Sequence, residues 1–283
     1  MDVAGTRVHY LRAGAHGDGP THLLIHPMGA GAWTWMDVIG PLSARGPVIA
    51  PDLPGSGRSR PLIRRCANVF ADARFLDDFT TALGIERVVV HGHSLGGLVG
   101  GLFAGRIPDR VERLVLTSAP LPGLPDPPRF PAAWNLGLDV ARPVADVLVG
   151  VGIRLKAGAW RRWVEEGDSS RLGSELSRIS PELLALAAEE IGRMRFRWRV
   201  EGAVDAVLSA VRALTVDEAR TRAGLDAITA PVLLLWGADD RVLPARLIDE
   251  VQAAHPTWRW QTIDGVGHVL PWVAPGSYVE LAS

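Results

Sequence analysis

The sequence predicts an α/β protein with a mainly parallel central sheet flanked by helices. Three observations predict it. Short, continuously apolar runs recur along the chain, helix-like segments fill the gaps between them, and one long segment (132–225) interrupts the alternation without any strand-like run. The runs are THLLIH (21–26), GPVIAP (46–51), RVVVHG (87–92), RLVLTS (113–118) and PVLLLWG (231–237). Unbroken apolarity suits strands buried on both faces, as in a parallel sheet covered by helices. Residues 33–44 follow the first run as a helix, and residues 69–83 follow the second. In the latter, Phe75, Leu76, Phe79 and Leu83 recur at three- and four-residue steps, the pattern of one buried face. Residues 94–106 follow the third run directly and end before Ile107-Pro108. Strand and helix alternate, which is the α/β arrangement.

The alternation breaks at APLPGLPDPPRFP (119–131), whose prolines can continue neither a helix nor a central strand. Beyond it the chain reads as helices. PELLALAAEEIGRMRFRW (181–198) starts with Ser180 as N-cap and Pro181 as first helical residue, and carries Leu184, Ala187, Ile191, Met194 and Trp198 at helical spacing. The predicted division is a core domain of residues 1–120 and 226–283, with a helical cap of residues 121–225 inserted between two late strands. Arg193, Arg195, Arg197 and Arg199 spread over more than one side of a helix, with Glu189, Glu190 and Glu201 near enough to pair with them. That describes a solvated face rather than an anion clamp. The cap tryptophans Trp134, Trp160, Trp163 and Trp198 are candidates to shape an apolar pocket.

Composition narrows the function classes. With a hydrophobic share of 47%, the chain has ample material for a core. A formal net charge of -1 gives no reason to expect nucleic acid or an anionic membrane as partner, so a small-molecule substrate is the expectation. Cys66 is the sole cysteine, which excludes an internal disulfide and any multi-cysteine metal site. The N-terminus MDVAGTRVHY lacks a basic and apolar leader, and no apolar run nears the ~20 residues that span a bilayer. The expectation is a cytoplasmic protein without membrane insertion. Lys156 is the sole lysine, so arginine carries nearly all the positive charge.

HGHSLGG (91–97) sits where the third strand should turn into a helix. Gly92 and Gly96 flank Ser94 two residues away on each side, and Gly97 adds freedom at the helix start. A nucleophile on such a sharp turn needs small neighbours so that strand and helix can approach, and the helix N-terminus offers unpaired N–H groups to a developing oxyanion. This is the G-x-S-x-G elbow. A serine hydroxyl needs a general base, itself oriented by a carboxylate. Of His9, His16, His22, His26, His91, His93, His255 and His268, only His255 and His268 lie beyond the last strands, where chain order places the base. His268 sits in a glycine-flexed loop after WRWQTI; His255 reads as a solvated residue before Pro256. The acid belongs in the loop after PVLLLWG, which contains Asp239 and Asp240.

Five segments stand in one order: HPMGAGAW (26–33), PDLPGSGRS (51–59), GHSLGG (92–97), WGADDRVLP (236–244) and GVGH (265–268). Together they resemble the α/β-hydrolase superfamily, in its cap-bearing branch, over nearly the whole chain. The resemblance implies the α/β-hydrolase fold and a catalytic triad of Ser94, Asp240 and His268. Asp240 is preferred over Asp239 because Gly237, Asp240 and Pro244 match the family's G-x-x-D-x-x-x-P spacing. It also implies an oxyanion hole of the Leu95 and Met28 backbone N–H groups. Pro27 stands where the family has glycine, and it removes one N–H from that loop. His26 is expected to pack beneath the loop, and His93 to stand behind the nucleophile or in the pocket floor. Trp33, His93 and Val269 are the candidate pocket residues, and Asp52 should fix the turn around Ser56. No metal or organic cofactor is implied. The implied reaction is hydrolysis of an ester, thioester or lactone of a small to medium apolar substrate. C–C bond hydrolysis and perhydrolysis use the same triad, and non-hydrolytic cyclases or ligand receptors share the scaffold.

Overall fold

The computed structural model describes residues 1–15, 19–59, 68–122, 178–193, 206, 209–214, 216–243, 245 and 247–282. Seven strands form one sheet in the order β3-β5-β4-β6-β7-β8-β9. They are β3 (Tyr10–Ala13), β4 (Thr21–Ile25), β5 (Val48–Pro51), β6 (Val88–His93), β7 (Val111–Thr117), β8 (Val232–Gly237) and β9 (Arg259–Ile263). All neighbours are parallel except β3, which lies antiparallel on β5. The five apolar runs are thus β4 to β8, each within two residues of its expected bounds.

The N-terminal strands were not legible. β3 is an edge strand whose residues are only partly buried, so it carries no apolar run. β1 (Asp2–Val3) and β2 (Thr6–Arg7) form a two-residue hairpin closed by Ala4 and Gly5, both at positive φ (47° and 78°). That is the primed turn geometry a tight hairpin needs, reached without the Asn-Gly or Asp-Gly pair that signals it in sequence.

Helices cover both faces. α2 (Val69–Ala82) and α3 (Leu95–Arg106) share one hydrophobic cluster with Leu23, Ile25, Val88 and Val90. α1 (Met36–Ser43), α7 (Leu270–Val273) and α8 (Pro275–Ala282) share another with Leu24, Val48 and Val115. The helix expected over 33–44 begins as a 3-10 turn, Ala32–Trp35, before α1. α2 is capped by Asn68, whose Oδ1 accepts the Ala71 N–H at 2.8 Å. Its Phe75, Leu76 and Phe79 are fully buried, and deleting a side chain like Phe79 costs about 3–5 kcal/mol.

Between the adjacent strands β7 and β8 lie residues 118–231, so the segment expected as cap does interrupt one sheet. Most of it, with Trp134, Trp160, Trp163, Trp198 and the side chains of Ile191 to Arg199, falls outside the described residues, as do Cys66, Lys156 and Pro244. α4 (Pro181–Arg193) is the predicted helix, with Ser180 Oγ accepting the Leu183 N–H at 3.1 Å. Leu184 and Ala187 of its stripe are fully buried. The chain is already back on the core before residue 225, the last position read as cap. Ser209 Oγ accepts the Val69 N–H at 2.8 Å, and α5 (Glu218–Asp226) packs on α3. There Gly105 and the Gly224 carbonyl are in backbone contact, with no room for a Cβ at 105. A further helix, α6 (Leu247–Ala254), completes this face.

Candidate active site

Ser94 sits at the tip of the turn from β6 to α3, at φ 53° and ψ -124°. For a residue with a Cβ this left-handed backbone is strained, and strain of this kind persists only where the surroundings enforce it. The enforcement is visible. Ser94 N–H donates to Thr117 O, and its own carbonyl accepts from Gly97 N–H, both at 2.8 Å. A Cβ on Gly92 would collide with the Gly96 carbonyl, and one on Gly96 with the Ile25 and His26 carbonyls. Both glycines therefore exist for close approach. So does Gly97: rather than loosening the helix start, it makes room for the Cβ of Ala119.

His268 lies in the loop between β9 and α7, 174 residues from Ser94 in sequence, yet its Nε2 is 3.0 Å from Ser94 Oγ. Its Nδ1 is 2.9 Å from Asp240 Oδ2. A carboxylate only accepts, so Nδ1 carries the proton and the bare Nε2 accepts from the serine hydroxyl. Asp240 is held in turn by the Val242 and Leu243 N–H groups, both donating to Oδ1 at 2.8 and 2.9 Å. Burial alone would raise this carboxyl. The hydrogen bonds from His268 and Leu243 outweigh it and keep the carboxyl below its ordinary value, ionised at neutral pH. Asp239, the alternative acid, is exposed and uses its N–H on Val266 O. His255 is far from this line. It is not a freely solvated group: its ring stacks on Trp258 at 4.0 Å between centroids.

Leu95 is the first residue of α3, so its N–H has no partner within the helix. Ile25 pairs with Gly92 in the sheet, which brings the 26–29 loop out beside the elbow; Met28 in it is exposed and Gly29 turns at φ 68°. The His26 ring donates Nδ1–H to Pro27 O at 2.8 Å and accepts the Leu53 N–H on Nε2 at 3.0 Å, tying the two loops together beneath the site. Asp52 fixes the same region. Oδ1 accepts from Ala32 N–H (2.6 Å), and Oδ2 accepts from Arg58 N–H and lies 2.8 Å from His9 Nδ1.

Of the expected pocket residues, Trp33 and Val269 are partly exposed, but His93 is 1% exposed and lies under His268 rather than at a pocket surface. Sequence reasoning missed Trp272, whose ring lies 5.9 Å from Trp33 and 6.1 Å from His93. It also missed a buried polar line behind the sheet, where His22 Nδ1 meets His91 Nε2 (2.9 Å) and His91 Nδ1 meets Tyr278 Oη (3.0 Å). Nothing in sequence spacing relates residues so far apart. Glu190 of α4 faces inward to Arg58, whose Nε donates at 3.0 Å, and Ser180 Oγ donates to Asp37 at 2.7 Å. Two polar contacts thus join α4 to the core beside the site.

A strained serine between strand and helix, hydrogen-bonded to a histidine that is in turn hydrogen-bonded to an aspartate, both from later loops of a doubly covered parallel sheet, defines the class of an α/β hydrolase. The sequence profile of the Alpha/beta hydrolase family matches residues 23–281, and the chain belongs to that family. An uncharacterized protein of Mycobacterium tuberculosis is 31% identical over 281 residues, covering 94% of this chain and 74% of its own. A 2-hydroxy-6-oxononadienedioate/2-hydroxy-6-oxononatrienedioate hydrolase of Cupriavidus pinatubonensis is 27% identical over 273 residues, covering 94% of this chain and 86% of its own. Among solved structures, a thioesterase domain from the curacin biosynthetic pathway superposes with a TM-score of 0.76 at 21% identity, covering 100% of this chain and 96% of that one.

Proposed function

We propose that the protein is a serine hydrolase that cleaves a carboxylic ester, thioester or lactone of a small to medium apolar substrate. The observation that carries this reading is the hydrogen-bonded line Ser94–His268–Asp240, with the serine on its strained turn. In the proposed reaction Ser94 Oγ attacks the substrate carbonyl while His268 Nε2 takes its proton. Asp240 holds the imidazole in the tautomer that accepts there and stabilises the imidazolium. The Leu95 and Met28 N–H groups receive the oxyanion. His268 then protonates the leaving alcohol or thiol, an acyl-enzyme remains, and His268 deprotonates a water that releases the acid. Trp33, Trp272, Val269 and the exposed Met28 supply apolar surface beside this line, which suits an apolar acyl or alcohol group. No metal or organic cofactor takes part in these steps.

Two measurements test the reading: turnover of a panel of short p-nitrophenyl esters and labelling of Ser94 by a fluorophosphonate. Both are expected for the wild type and neither for Ser94→Ala. Wild-type protein that is folded yet neither labels nor turns over any ester would refute it. The Cupriavidus relative favours one second reading, hydrolysis of a C–C bond beside a ketone by the same three residues. A kcat/KM for a 2-hydroxy-6-oxo-dienoate well above that for every ester would select it.

A further inference from the structure

The residue before the nucleophile makes a contact that the three-residue line does not require. His93 Nε2 lies 2.7 Å from the backbone carbonyl of His268, the residue that supplies the base. A carbonyl only accepts, so Nε2 carries a proton and donates it, and Nδ1 is bare. Nδ1 is buried, with no hydrogen-bond partner among the described residues. The tether to His268 is therefore the ring's sole directional contact among them. The rest of its surroundings are aromatic: Trp35 edge-on at 6.4 Å, Trp272 at 6.1 Å and the His268 ring at 5.5 Å.

We propose that His93 is a positioning residue, which locks the backbone of the His268 loop to the strand that ends in the nucleophile. This rests on the serine hydrolase reading. The His268 imidazole must meet two partners at once, 2.9 Å from Asp240 and 3.0 Å from Ser94, and its Cα sits on a loop rather than on a strand. Asp240 constrains the ring but not the backbone behind it. Because His93 and Ser94 are consecutive, any displacement of the elbow carries the base with it, and their separation is preserved. The ring must also stay neutral, since a second cation would oppose the imidazolium that forms on His268. Burial, reinforced by that neighbouring charge, pushes His93 down to about 3, so it remains neutral throughout the working range.

The test compares His93→Phe, which keeps an aromatic ring without a donor, with His93→Gln, whose amide can donate from nearly the same place. A misplacement of about 1 Å can cost ~100-fold in rate. His93→Phe is expected to lose on the order of that factor in kcat, with KM within about twofold and fluorophosphonate labelling slowed in parallel. His93→Gln is expected to recover most of the loss. Two results would overturn the proposal: a folded His93→Phe protein with near-wild-type kcat, or a His93→Gln protein as slow as His93→Phe. Wild-type labelling separately reports whether the hydrolase reading stands. If it fails, the downfield Nδ1–H proton resonance of His268 still reads the loop's position without substrate; it is expected in the wild type and lost in His93→Phe, and its persistence there overturns the tether.

Discussion

Lowering the pH from 7.5 to 5.5 should destabilise this protein through its buried histidines, partly offset by Asp72, whose carboxyl burial raises to about 7 so that the folded state takes up a proton there. His22 is driven down to about 4, chiefly by burial with the Arg45 and Arg113 charges adding to it. His93 is driven to about 3 by burial and the nearby His268 charge, and His91 lies well below its ordinary value through burial and its neighbour His22. All three have folded values below the unfolded one of about 6.5, so the folded state stays neutral while the unfolded state binds protons. Stability is therefore complete above pH 6.5 and falls as the pH drops through the unfolded value toward the folded ones. Between pH 7.5 and 5.5 each histidine contributes a loss of about 1.4 kcal/mol, ~4 kcal/mol for the three, and protonation of Asp72 returns ~2 kcal/mol, leaving a net loss of ~2 kcal/mol. That is an appreciable part of the 5–15 kcal/mol typical of a whole domain. Urea unfolding followed by tryptophan fluorescence at pH 7.5, 6.5 and 5.5 measures it, above the range where ordinary carboxylates titrate. Stability that does not fall at all between pH 7.5 and 5.5 would refute the assignment of three buried neutral imidazoles.

Two further outcomes follow from the site and its frame. Asp240→Asn should leave KM near wild type and lower kcat by ~10⁴-fold, because an amide can donate to His268 Nδ1 and so favours the wrong tautomer; steady-state kinetics on the best ester of the panel checks this. Gly105→Ala should cost about 3 kcal/mol or more, since the methyl meets the backbone carbonyl of Gly224, which cannot move aside as a side chain would. The shift of the urea midpoint reads that cost, and an unchanged midpoint would mean that α3 and α5 can separate freely.

Much of this protein is local information. β4 to β8 are visible because strands buried on both faces must be apolar at every position, and α2 because one face of a helix repeats at three and four residues. Ser94 is visible because a turn this tight admits only glycine at 92 and 96. Asp240 and His268 are each visible as loop residues following a strand, in an order that matches a family. These are constraints that a short stretch of chain must satisfy by itself. Long-range contacts are different, because they depend on where the sheet brings distant segments. The close approach of Gly105 to residue 224, the Arg58–Glu190 pair, and the line from His22 through His91 to Tyr278 leave no periodicity to read. His93 combines both cases. The sequence alone could mark it as the residue beside Ser94, whereas its bond to the backbone of a residue 175 positions away exists only once β6 and the loop after β9 are adjacent.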